Sequence, residues 1–359
     1  MSRVHLGDVA IEHKETCKED KSMYPIVGLE HLTPEQITLQ NWELNTENTF
    51  TKVFRKGNIL FGRRRAYLKK AAVAPFDGIC SGDITVIEAK EDKIIPELLP
   101  FVIQNDDLFD FAVGKSAGSL SPRVKWTHLQ NYEFELPTKE KQRELAKALW
   151  AIEDTRKSYQ ELIKRTDELV KSQFIELFKN TQKVKLETIA DIVMGQSPKS
   201  DTYNIEGKGV PFNQGSGDFT DKYVKSHMFC TEPTRMAEAG DVLMSVRAPV
   251  GAVNITEDAC CIGRGLAAIR SKKSSEYNEF FLYAFRVMES EISDMGQGST
   301  VLSINKDKLH GLLMPDADQT LQKAFISFTQ QSDKSKFELN RALDELTATY
   351  KQIIKDNLG

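Results

Sequence analysis

Lys56-Gly-Asn-Ile-Leu-Phe-Gly-Arg63 has a counterpart far along the chain, Ala239-Gly-Asp-Val-Leu-Met-Ser-Val-Arg247. Each reads as a glycine turn feeding an apolar run of strand length that ends on arginine. Upstream, Leu6-Gly-Asp-Val-Ala-Ile11 pairs with Leu186-Glu-Thr-Ile-Ala-Asp-Ile192. Downstream, Gly118-Ser-Leu with Leu129 pairs with Gly298-Ser-Thr with Leu309, and Pro137 pairs with Pro315. The four landmarks keep their order, and members of each pair lie roughly 180 residues apart, which chance similarity does not maintain. The chain is an internal duplication.

After each proline comes a segment without interior Pro or Gly, rich in Leu, Lys, Glu, Gln and Ala, and this composition predicts a long helix. In the first, Leu145, Leu149, Ile152, Tyr159, Ile163, Val170 and Leu177 recur at heptad-like spacing. The second carries Leu321, Phe325 and Phe328, then Leu339, Leu343, Leu346, Tyr350 and Ile353. Such narrow stripes form a seam that one helix cannot bury alone. The natural cover is the other long helix, packed antiparallel. About 40 residues at 1.5 Å each would make a rod of roughly 60 Å, with a globule at either end and a pseudo-twofold axis between them. The alternative is that each helix only caps its own globule. The expected boundaries are 1–138, 139–180, 181–316 and 317–359.

Within the globules, Asn58-Ile-Leu-Phe61, Asp83-Ile-Thr-Val-Ile87, Asp241-Val-Leu-Met-Ser-Val246 and Gly265-Leu-Ala-Ala-Ile269 read as strands. Pro96 to Phe111 and Ser275 to Glu291 read as amphipathic helices whose aromatics serve the core. The expected fold class is therefore α/β (α+β): two mixed α/β globules joined by two long antiparallel coiled-coil helices.

A 359-residue chain with 40% hydrophobic and 28% charged residues suits two or three globular domains. No apolar run approaches the roughly 18 residues that span a bilayer. The segment Met1-Ser-Arg-Val-His5 carries no signal-peptide core, so a cytoplasmic setting is expected. Cys17, Cys80, Cys230, Cys260 and Cys261 form no CxxC pair, which speaks against a zinc ribbon or a disulfide framework. His5, His13, His31, His128, His227 and His310 are scattered without metal-ligand spacing. There is no phosphate-cradling GxxxxGK[ST] loop, and no Asn- or Asp-Pro-Pro-aromatic run of the kind that holds a flipped base. Gly263-Arg-Gly265-Leu-Ala-Ala268 fits GxGxxA formally, but it reads as a turn leading into a strand.

Net charge is −4, yet charge is uneven. Between Asn48 and Phe76 stand Lys52, Arg55, Lys56, Arg63, Arg64, Arg65, Lys69 and Lys70, and no acid. A basic stripe on an acidic body attracts phosphates. Polar and basic residues also recur at matching places: Arg247 after the second strand, Lys115, Ser119 and Arg123 in one Gly/Ser-rich loop, and Gln297, Ser299, Thr300 and Lys306 in the other. Gln214 and Arg264 complete the candidate DNA-contacting set. Arg and Gln pair with guanine and adenine edges, while Ser, Thr and Lys hold phosphates. Two similar globules with different loops are what two different half-sites require.

These residues resemble the specificity subunits of type I restriction–modification systems over essentially the whole chain. The resemblance is carried by Ala239-Gly-Asp-Val-Leu-Met-Ser-Val-Arg-Ala-Pro-Val-Gly251, by Gly296-Gln-Gly-Ser-Thr300 through Ile304 to Pro315, and by the two helical segments. The first repeat departs from the pattern, with Phe61-Gly-Arg-Arg-Arg65 and Ser119-Leu-Ser-Pro122 in place of the corresponding stretches. The resemblance implies that each globule is a target recognition domain reading half of a split DNA sequence. The helices would then fix the gap between the halves. It also implies two methylation subunits and two ATP-driven restriction subunits as partners. S-adenosylmethionine, ATP and Mg would sit on those partners, and this chain would hold no cofactor or metal and do no catalysis. The competing readings are a helical adaptor, an orphan DNA-binding protein without functional methylase partners, and a self-contained nuclease or methyltransferase.

Overall fold

The computed structural model describes residues 2–18, 21, 24–45, 47–118, 120–274, 277–296 and 303–359. It divides into two compact units, one of residues 1–161 with 339–359 and one of residues 162–338. The division runs through both long helices, Lys139–Phe178 and Gln319–Leu358, so each unit takes half of each helix as well as a globule. Both cuts fall inside the helical segments read from the sequence, 139–180 and 317–359, and leave each globule, 1–138 and 181–316, within one unit.

In the first unit a four-stranded antiparallel sheet runs in the order Ala10–Glu12, Ile84–Ala89, Ile59–Gly62, Ala71–Val73. A three-stranded sheet holds Gly78–Cys80 between Ile26–Val27, which is parallel to it, and Lys52–Phe54, which is antiparallel. All four residues of Ile59–Gly62 are buried, which is why this strand reads as an unbroken apolar run instead of an alternating one. Ser2–His5 pairs antiparallel with Glu133–Leu136.

The second unit repeats the plan. Its four-stranded sheet runs Ala190–Met194, Leu266–Ser271, Val242–Ser245, Val253–Ile255, and Val242–Ser245 is again wholly buried. A five-stranded sheet includes the parallel pair Val210–Asn213 and Cys260–Ile262. Lys183–Lys185 pairs with Leu313–Pro315, as the outer ribbon of the first unit does.

The duplicated turn has one physical cause in both units. Asn58 Oδ1 accepts the Arg55 amide at 2.8 Å, and an Asp241 carboxylate oxygen accepts the Glu238 amide at 2.8 Å. Gly57 and Gly240 between them have φ of +89° and +85°, a left-handed backbone that glycine adopts without a Cβ penalty. The Gly-Asn and Gly-Asp pairs are thus the sequence form of a single Asx-held turn.

The long helices start alike too. Thr138 Oγ1 accepts the Lys141 amide, and Asp318 Oδ1 accepts the Leu321 amide, the usual N-cap arrangement. In the second unit, Asp167 meets Lys336 at 2.9 Å and the Phe178 ring meets that of Phe325 at 5.7 Å. Moving forward along one helix moves backward along the other, so the segments run antiparallel. Leu145, Leu149, Val170 and Tyr350 are buried. Ile152, Tyr159, Ile163, Leu339, Leu343 and Leu346 are only half-buried.

The long helices are not each other's only cover. Where burial is complete, a third element closes the seam: Phe101 packs on Trp150 and Tyr350 in the first unit, and Phe280 packs on Phe174, Phe178 and Phe325 in the second. Two helices alone bury narrow stripes, and a full aromatic core needs the globule's own helix.

Two helical expectations are corrected. Pro96 to Phe111 is not one helix but Leu99–Ile103 and Asp106–Gly114, after a 3-10 turn at Pro96–Leu98. Asn105 causes the break: its Oδ1 accepts the Asp107 amide, and its Nδ2 donates to the Leu358 carbonyl. Ser275 to Glu291 divides at Met288 into Asn278–Val287 and Glu289–Asp294.

Candidate nucleic-acid interface

In the first unit the buried strand Ile59–Gly62 delivers Arg63, Arg64 and Arg65 to a junction of three segments. The Arg63 amide donates to the Asp83 carbonyl, the Val124 amide to the Arg63 carbonyl, and the Arg65 amide to the Pro122 carbonyl. Arg64 and Arg123 form an isolated antiparallel bridge, and Ala117 with Arg123 closes the base of the following loop. Side chains tighten the same point. Arg123 donates to both Asp83 carboxylate oxygens at 2.7 and 3.2 Å. Arg64 donates twice to Ser121 Oγ, at 2.9 and 3.1 Å, and reaches Asp83 at 3.4 Å. The Arg123 hydrogen bond is the main cause that holds the Asp83 carboxyl below the ordinary carboxylate range, and Arg64 adds to it.

The basic run read from the sequence is therefore largely answered by acids from elsewhere in the chain. Arg55 pairs with Glu15 and Asp77, Lys69 with Asp106 at 2.6 Å, and Arg64 with Asp83. Lys52 and Lys70 donate to the carbonyls of Ile84 and Leu29. Arg63 is half-buried, and its Nε has no hydrogen-bond partner among the described residues. Arg65 and Lys115 remain exposed, with the Lys115 ammonium 5.7 Å from the Phe111 ring centroid.

Between Arg65 and Lys69 the chain makes one 3-10 turn, Ala66–Leu68, entered and left through left-handed residues at φ +54° and +50°. For a side chain with a Cβ this conformation costs roughly 1–2 kcal/mol per residue. It persists because Arg65 is tied to Pro122 and Lys69 to Ala66 and Asp106. The turn holds Tyr67 and Leu68 exposed.

The second unit assembles the equivalent junction with different chemistry. Arg247 bridges antiparallel to Ser303 as Arg64 does to Arg123. The Val246 amide donates to the Gly265 carbonyl and the Ile304 amide to the Val246 carbonyl. This brings Arg247, Arg264 and Gln214, all exposed, onto neighbouring turns, because the Gly263 amide donates to the Asn213 carbonyl beside Gln214. The close approach needs glycine: a Cβ on Gly265 would lie 2.4 Å from the Gln214 carbonyl oxygen. Lys306 is exposed at the start of the helix Lys306–His310, and Asn305 serves as that helix's N-cap through the Lys308 amide.

Below this junction Arg270 makes a two-point pair with Asp241, which is 1% exposed. That hydrogen bonding is the first cause that raises the guanidinium's pKa. Ser119, Gln297, Ser299 and Thr300 lie outside the described residues.

The sequence does not single out Asp83, Ser121 or the Asp241–Arg270 pair. Asp83 stands 40 residues from its partner Arg123, so no local pattern names it. Among the described residues no three His, Cys, Asp or Glu side chains converge as metal ligands, and no helix is long and apolar enough to cross a membrane.

Asp83→Asn is expected to free both arginines. Non-specific DNA binding should strengthen and its salt slope steepen, while discrimination between target and non-target DNA falls. Titrating both DNAs across salt checks this; unchanged discrimination would show that Asp83 does not organise the reading surface.

The two units thus repeat one sheet plan, with an arginine-bearing bridge at the same place in each. The model of the type I restriction modification DNA specificity domain matches residues 3–165 and 179–346, and the chain belongs to that family. It is 28% identical over 339 residues to a chain named as the type I restriction enzyme MjaX specificity subunit of Methanocaldococcus jannaschii, across 85% of this chain and 79% of that one. A chain solved in a study of complex assembly and conformational transition of the type I R-M system is 30% identical, with a TM-score of 0.66, over 99% of this chain and 97% of that one. The S subunit of a type I restriction–modification system from M. genitalium shares the fold, at 14% identity and a TM-score of 0.59, over 100% and 96% of the two chains. The chain is thus a DNA specificity subunit of the type I restriction–modification class.

Proposed function

We propose that each compact unit reads one half of a split DNA target, and that the chain acts without catalysis of its own. The supporting observation is the repeated junction: Arg64 opposite Arg123 in one unit and Arg247 opposite Ser303 in the other. The geometry is shared and the side chains differ, as two unlike half-sites require. Two methylation subunits would act at the sites so chosen, and two restriction subunits would join them. S-adenosylmethionine, ATP and Mg belong with those partners, and the complex works on cytoplasmic DNA. The test is methylome sequencing of cells carrying the native methylation partner, with and without this chain. A chain-dependent split motif of modified bases with a fixed gap is the expected result; no such motif would overturn the reading.

The long helices would set the gap. Matched insertions of one heptad after Glu161 and Glu338, where the units divide, add about 10 Å of helix, close to three base pairs of DNA. The methylated motif should keep both halves and lengthen its gap by about that much. An unaltered gap would show that the helices do not measure it.

A further inference from the structure

Among the large apolar side chains of the described residues, Leu120 is 90% exposed, more than any other. It stands on the loop closed by the Ala117–Arg123 bridge, next to Ser121, whose hydroxyl Arg64 grips with two donors. The Asp83 carboxylate pins Arg123 and Arg64 together at the base of that loop. The arginines nearest the tip are thus spent on holding the loop, and what the held loop presents is a branched hydrocarbon. Two exposed cations flank the base of the loop in the chain: Arg65, whose amide donates to the Pro122 carbonyl, and Lys115, two residues before Ala117. An apolar tip on a loop flanked by cations suits a polyanion with recessed apolar groups. Duplex DNA is such a surface, with phosphates at the rim and the thymine C5-methyl as the apolar group on a base edge.

We propose that Leu120 is a specificity-determining residue of the first unit, which reads a thymine by packing against its C5-methyl group. Arg64, Arg123, Ser121 and Asp83 are positioning residues for that contact, while Arg65 and Lys115 supply the attraction to phosphate. The inference rests on the reading of this unit as a half-site reader.

The test uses the full chain with its methylation partner, bound to its own target and to duplexes in which each thymine of the half-site is replaced in turn by uracil, which lacks only the methyl group. At one position uracil should weaken binding by about fourfold, the worth of one buried apolar carbon. Leu120→Ala should weaken binding to the thymine duplex by a similar factor and abolish the uracil effect at that position alone. Leu120→Met, which keeps an apolar side chain of similar volume, should retain the uracil effect. If Leu120→Ala leaves every uracil effect intact, or leaves target affinity unchanged, the proposal is overturned while the half-site reading stands. If the wild-type complex shows no preference for any sequence, the half-site reading itself fails.

Discussion

Phe325→Ala is expected to destabilise the second unit by about 3–5 kcal/mol. The ring is 0% exposed and is met by Phe174, Phe178, Phe280 and Tyr283, with centroids 5.4 to 6.3 Å away. Deleting it removes the transfer energy of a buried aromatic and leaves a cavity that four rigid rings cannot fill, since rings relax less than aliphatic chains. The control is Phe337→Ala on the same helix, where the side chain is 65% exposed and the expected change is within about 0.5 kcal/mol. Urea unfolding of the intact chain measures both. A loss below about 1 kcal/mol at Phe325 would mean that the aromatic cluster is not what holds the helix pair to its globule.

Exchanging residues 1–138 for the corresponding segment of another family member should change one half of the methylated motif completely and leave the other untouched. Specific recognition commonly exceeds non-specific binding by about 4–10 kcal/mol, so the lost half-site should vanish from the methylome. The exchanged segment carries Phe101 and Asn105, which pack against Tyr350 and bond to the Leu358 carbonyl. A donor segment with a large apolar residue at the first position and an amide at the second should give a stable chain. One lacking them should give the right motif only at reduced temperature. Alteration of both halves would refute the assignment of one half-site to one unit.

Features set by neighbours close in sequence are legible from the sequence itself. The Gly-Asn and Gly-Asp turns, the buried strands after them and the uninterrupted helices all depend on residues within a few positions, and the duplication supplies each of them twice. Features that depend on distant partners are not legible in this way. The basic run from Lys52 to Lys70 reads as an open cationic stripe because Glu15, Asp77, Asp83 and Asp106, which answer it, lie outside it. The helix expected from Pro96 to Phe111 breaks because Asn105 answers the carbonyl of Leu358. Leu120 lies in a loop whose polar residues draw the eye in the sequence, and only its exposure singles it out.

The division of the chain also sets an order of assembly. The second unit is one continuous stretch, 162–338, whereas the first is completed by residues 339–359. Tyr350, Ile354 and Leu358 join the same buried cluster as Phe101, Leu145 and Leu149. Because residues 339–359 follow the whole of the second unit in the chain, the first unit's cluster should be the later of the two to be completed during synthesis. A message cut short just after Glu338 would yield a chain whose later half is sound and whose earlier half is the one left unfinished.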